Sequence, residues 1–112
     1  MGKKDRPHTP DGRYFVARYR LKRCTDPRLD DSTRRAAIKA LMQARRLFST
    51  DLTEKESRAA RDRVEDAKRS LGETGPVWWD DGAPDESGLA PDASSYADWW
   101  ASLSEVERQA GA

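Results

Sequence analysis

The chain has 112 residues, of which 37% are charged and 36% hydrophobic, with 21 Lys and Arg against 20 Asp and Glu. No apolar run is long enough to span a bilayer, the start Met1-Gly2-Lys3-Lys4 lacks the apolar stretch of a secretory signal, and the single cysteine, Cys24, has no internal disulfide partner. A soluble, cytoplasmic, bacterial-type protein with one small domain over residues 13–109 is expected, without membrane association.

Its core must be thin, because Val, Leu, Ile and Phe together supply only 15 residues. Four Trp and three Tyr can offset this, since each aromatic ring buries roughly 150–250 Å². The net charge of +1 hides a split. Residues 1–50 carry 14 basic and 5 acidic side chains, whereas residues 51–112 carry 7 and 15. Either the acidic part folds back over the basic front and neutralises it, or the front is free to meet an anionic partner.

Residues 1–12, rich in Lys, Pro and Gly, read as a flexible arm. Residues 13–24 favour a strand, with Phe15, Ala17, Tyr19 and Leu21 on one face and Arg18, Arg20 and Lys22 on the other. The stretch is also long enough for a hairpin turning near Arg18-Tyr19, although it lacks the Gly or Asn such a turn prefers. A helix is expected over 31–49, started by Asp30, Asp31 or Ser32, with Ala37, Ile38, Leu41, Met42, Ala44 and Phe48 as its apolar stripe. A second follows over 53–71, where Thr53 and Glu56 have capping-box spacing and Gly72 has the place of a terminating glycine. The short link between them predicts an antiparallel helical hairpin.

Beyond it lies an aromatic-acidic loop with Trp78, Trp79, Asp80, Asp81, Asp85 and Glu86, then an aperiodic stretch over 86–93 expected to be mobile. A last amphipathic helix is predicted over 95–109, with Tyr96, Trp99, Trp100, Leu103 and Val106 on one face. The fold class is therefore α+β and mainly helical: a basic N-terminal strand or hairpin, a helical hairpin, a Trp-rich acidic loop and a C-terminal helix.

The strings Asp11-Gly12-Arg13-Tyr14, Arg45-Arg46, Ala67-Lys68 and Leu71-Gly72-Glu73 resemble an uncharacterised family of small bacterial proteins. So does Gly75-Pro76-Val77-Trp78-Trp79-Asp80-Asp81-Gly82-Ala83-Pro84-Asp85, a Trp-Trp…Asp-Gly-Ala-Pro-Asp motif, followed by Tyr96-Ala97-Asp98-Trp99. The resemblance covers roughly residues 9–100. Members are described as hypothetical, occasionally as Tol-type biopolymer transporters, and nothing in this composition supports transport. The chain departs from the family pattern at Tyr19, Lys22, Ser87, Gly88 and Asp92. The resemblance implies that an activity served by an Asn-Arg pair at positions 87 and 88, after Pro84, would be lost here, where Ser87 and Gly88 stand.

No motif points to catalysis or to a cofactor. The lone His8 lies in the arm, far in sequence from Cys24, and no Gly-rich phosphate loop or dinucleotide fingerprint occurs. The carboxylates of loop 80–86 lack the alternate spacing and closing Glu of a calcium loop, and read as turn-forming rather than metal-ligating. Trp78, Trp79, Tyr96, Trp99 and Trp100 read as a structural aromatic cluster that pins the tail onto the helical hairpin, one indole of each adjacent pair buried.

The basic ribbon is the leading candidate for partner contact: Arg13, Tyr14, Arg18, Tyr19, Arg20, Lys22 and Arg23, joined by Arg34 and Arg35. Basic residues interleaved with aromatics suit phosphate contact plus base stacking. Its expected role is non-enzymatic binding of RNA or DNA. A protein–protein adaptor or homodimer is the alternative, and a small metal-dependent enzyme a third.

Overall fold

A computed structural model of the protein describes residues 5–112. The elements run β1 (Tyr14–Ala17), β2 (Arg20–Arg23), α1 (Asp31–Leu47), α2 (Glu54–Ser70), a 3-10 turn at Pro91–Ala93, α3 (Ala97–Ser102) and α4 (Glu105–Gln109). The fold is α+β and mainly helical, as the pattern predicts. Contacts divide the described residues into two compact units: Thr25–Trp78 forms one, and the stretches up to Cys24 and from Trp79 to Ala112 form the other.

In the second of these units, β1 and β2 make an antiparallel hairpin with Tyr14 opposite Arg23 and Val16 opposite Leu21. The chain reverses at Arg18 and Tyr19, whose φ values of 55° and 56° are those of a type I′ turn. Residues directly opposite each other share a face of the sheet. Tyr14, Val16, Leu21 and Arg23 are accordingly buried together, while Arg20 and Lys22 face outward. This differs from the alternation of one uninterrupted strand, which would group Phe15 and Ala17 with Leu21.

Both outer edges of the hairpin are occupied from within. Along β1, the Val16 N–H donates to the Pro7 carbonyl and the Thr9 N–H to the Tyr14 carbonyl. Along β2, the Leu21 N–H donates to Leu89 and its carbonyl accepts from the Gly88 N–H. The predicted arm is thus bound to β1 from Pro7 onward, with Thr9 buried, while residues 1–4 of that arm lie outside the described residues. The segment 86–93, expected to be mobile, is tied to β2, and Pro91 is buried.

The helix predicted over 95–109 is two short helices. Leu103 is extended, with φ −76° and ψ 150°, and Ser104 begins α4 with a full capping box to Glu107. A capping serine stabilises a new start by about 1 kcal/mol, enough to favour a break over continuation in so short a segment.

The unit Thr25–Trp78 is the helical hairpin. The Asp30 carboxylate accepts from the Thr33 N–H at 2.7 Å to start α1. Thr53 and Glu56 close the predicted capping box of α2. Gly72, at φ +78°, reverses the chain after Leu71. Ala37, Leu41, Ala67 and Leu71 form the core, with Leu29 and Val64 packed against it. The seam between two helices is too narrow for the full predicted stripe. Ile38, Met42 and Phe48 stand exposed instead.

Candidate nucleic-acid interface

The acidic loop withdraws part of the basic ribbon into its own unit. The Arg13 guanidinium pairs with Asp81 and sits 4.9 Å from the centre of the Trp79 ring. The Arg23 guanidinium is buried, 3.8 Å from the Asp85 carboxylate. Tyr14 is 1% exposed, and its hydroxyl accepts from the Glu86 N–H. Of these three candidate partner residues, Tyr14 and Arg23 are buried and Arg13 is half-buried and paired. The acidic segment neutralises the basic front at two points rather than along its length.

What remains outside is the turn and the outer face of β2. Arg18, Tyr19, Arg20 and Lys22 are exposed, Tyr19 by 46%. Among the described residues none of these three cations makes an ion pair. The turn is held in place by the Tyr19 N–H donating to the Gly111 carbonyl at 2.8 Å. Arg18, Tyr19 and Arg20 border a shallow depression of about 320 Å³, closed on its other side by Ala90, Pro91, Asp92 and Trp100. Sequence pattern offered no signal for Asp92 beside the turn. Arg34 and Arg35 lie on exposed turns of α1 in the other unit, Arg34 paired with Asp31 at 2.5 Å.

A chain of edge-on and tilted aromatic contacts underlies the hairpin. Trp79 and Tyr96 each meet Tyr14 at 5.5 Å, Tyr96 meets Trp99 at 6.5 Å, and Trp99 meets Trp100 at 6.0 Å. Within this unit Trp79 therefore packs on Tyr14 of the β-hairpin, and Trp99 and Trp100 are joined to it through Tyr96. Trp78, in the unit Thr25–Trp78, lies against Gly72. Burial follows the expected one-in, one-out rule for Trp79 but not for Trp99 and Trp100, which are both half-buried.

Hydrogen bonds fix the charges around the rings. Burial works against the Asp11 carboxylate, yet donors from Tyr96, Thr9 and the Arg13 backbone together hold it below the usual range. Burial, then donation to Asp11, pushes the Tyr96 phenol up. The bond from Arg13, then that from the Ala83 N–H, keeps Asp81 low. Asp85 accepts from Ser87, and Glu86 from Ser95. The carboxylates of the loop are thus shared between the Arg13 and Arg23 guanidinium groups and nearby backbone and hydroxyl donors. Among the described residues no cluster of three or more His, Cys, Asp or Glu could hold a metal ion.

No described helix is long and apolar enough to cross a membrane. No protein-family model, curated protein or solved structure matches the chain.

Proposed function

We propose that the protein is a non-enzymatic, cytoplasmic binding protein that holds single-stranded RNA or DNA on the turn of its β-hairpin. One observation carries this reading: both central positions of the turn have positive φ, and they are filled by Arg18 and Tyr19. Asn-Gly would adopt that turn without strain, whereas each ordinary L-residue costs roughly 1–2 kcal/mol there. Strain kept at an exposed turn points to side chains retained for contact.

The chemistry of the depression fits such a ligand. Arg18, Arg20 and Lys22 offer phosphate donors and, among the described residues, make no ion pair. Tyr19 offers a ring on which a base can stack, a contact worth roughly 1–3 kcal/mol and available only to an unpaired base. Asp92 supplies an acceptor suited to the exocyclic amino group of a base rather than to a phosphate.

The test is fluorescence anisotropy with labelled oligo(U), oligo(dT) and a duplex, repeated at rising salt. Single strands should bind in preference to duplex. Three phosphate contacts on a single strand correspond to a slope of roughly −2 in log K against log salt. Absence of binding to both single strands at low salt would sink the reading.

A further inference from the structure

The face of α1 turned away from its helical seam carries Arg35, Ile38, Lys39, Met42 and Arg46 at helical spacing, around a depression of about 290 Å³. Ile38 is 40% and Met42 51% exposed. From Ser32 to Thr50 the sequence holds no carboxylate at all. A phosphate backbone would use the cations but leave both apolar side chains in water. The complement of this face is an apolar surface rimmed by acids.

The chain itself presents one. In the unit that contains the hairpin, Pro7, Trp99, Leu103 and Val106 line a groove of about 430 Å³. Asp5 and Glu107 stand at its edge, and Arg6 there donates to the Ala112 carbonyl. Val106 is 78% exposed, between Glu105 and Glu107. An unbranched thioether such as Met42 fits an irregular groove and makes favourable contact with an indole. Pairing α1 with α1 of another copy would instead bring like charges together.

We infer that a second copy of this chain docks here, α1 of one copy seated on the Trp99–Leu103–Val106 groove of the other. Ile38 and Met42 enter the groove while Lys39 and Arg46 face Glu105 and Glu107. Each copy carries both halves of the contact, so association either closes with twofold symmetry or continues as an open chain. The inference does not rest on nucleic-acid binding and uses none of the hairpin's exposed side chains.

Light scattering on nuclease-treated protein over a concentration series tests it. The expected result is a mass above that of one copy, falling as salt rises. Met42→Asp should weaken association at least tenfold. Lys39→Glu/Arg46→Glu and Glu105→Lys/Val106→Lys should each lose it alone and recover it when mixed, because the unmodified α1 of one variant meets the unmodified groove of the other and the introduced glutamates meet the introduced lysines. All these positions are exposed, and the salt dependence of the unmodified protein gives a readout independent of any variant. A single-copy mass at the highest concentration overturns the inference, as does failure of the mixture to recover. Association seen only after adding an oligonucleotide also overturns it, since the α1 face would then read nucleic acid.

Discussion

The hydroxyl of Tyr14 accepts a hydrogen bond at 2.9 Å from the backbone N–H of Glu86, a residue 72 positions further along the chain. The same side chain is 1% exposed and contacts Trp79 and Tyr96 with its ring. Tyr14→Phe keeps the ring contacts and removes the acceptor, leaving a part-buried N–H unpaired. We expect a loss of roughly 1–3 kcal/mol in urea unfolding followed by tryptophan fluorescence. An unchanged midpoint would show that this bond does not hold the loop.

Relieving the strained turn should separate stability from binding. Arg18→Asn/Tyr19→Gly places side chains suited to positive φ at both turn positions. The double variant should be more stable by roughly 1–2 kcal/mol per position while losing most of its affinity for oligo(U). Equal or improved binding in the stabilised variant would contradict the function proposed for these side chains.

Acid should loosen the unit that contains the hairpin. Folding lowers the pKa values of Asp81, through Arg13 and the Ala83 N–H, and of Asp11, where hydrogen bonds outweigh burial. A carboxylate depressed in the folded state stabilises above its unfolded value of about 4, and that contribution disappears as pH falls through the folded value. Thermal midpoints should therefore hold from neutrality to about pH 4 and decline below it. Asp81→Asn should flatten the decline. Tyr96 acts at the other end of the scale. Its raised pKa stabilises fully below about pH 10 and is lost as alkali ionises the phenol.

Gly72 should resist substitution. Its φ is +78°, and an added Cβ would lie 3.0 Å from the Asp26 Cβ and 3.1 Å from the Trp78 Cδ1. Gly72→Ala combines left-handed strain with crowding at the end of α2, and should cost on the order of 1–3 kcal/mol in chemical denaturation. A loss below about 0.5 kcal/mol, within the range of ordinary surface changes, would mean that the chain relaxes freely here.

The helical hairpin was readable because its signals are local. The Thr53–Glu56 box, the cap before Asp31 and the terminal Gly72 each act within a few residues and appear where expected. The turn at Arg18-Tyr19 was also legible, but the inward face was not, because a two-residue turn resets the alternation that a single strand would keep. The break before α4 had a local signal as well: Ser104 and Glu107 have capping-box spacing, overlooked beside the apolar periodicity of Trp99, Leu103 and Val106. What no local pattern could supply is pairing across the chain. Which arginines the acidic loop would claim, Arg13 and Arg23 rather than Arg18 and Arg20, depends on register and on residues some 60 positions away. Of the seven candidate residues on the hairpin, this pairing and the burial of Tyr14 leave Arg18, Tyr19, Arg20 and Lys22 exposed.

Because Pro7 and Thr9 close one margin of the ribbon and Gly88 and Leu89 the other, it offers no bare main-chain row on which a foreign strand could template. The binding proposed for this ribbon would then run through side chains alone. The Val16 and Leu21 amides should exchange with deuterium equally slowly whether or not the turn is engaged. The same closure should keep concentrated solutions from seeding fibrils through this segment, despite its aromatic and β-branched content.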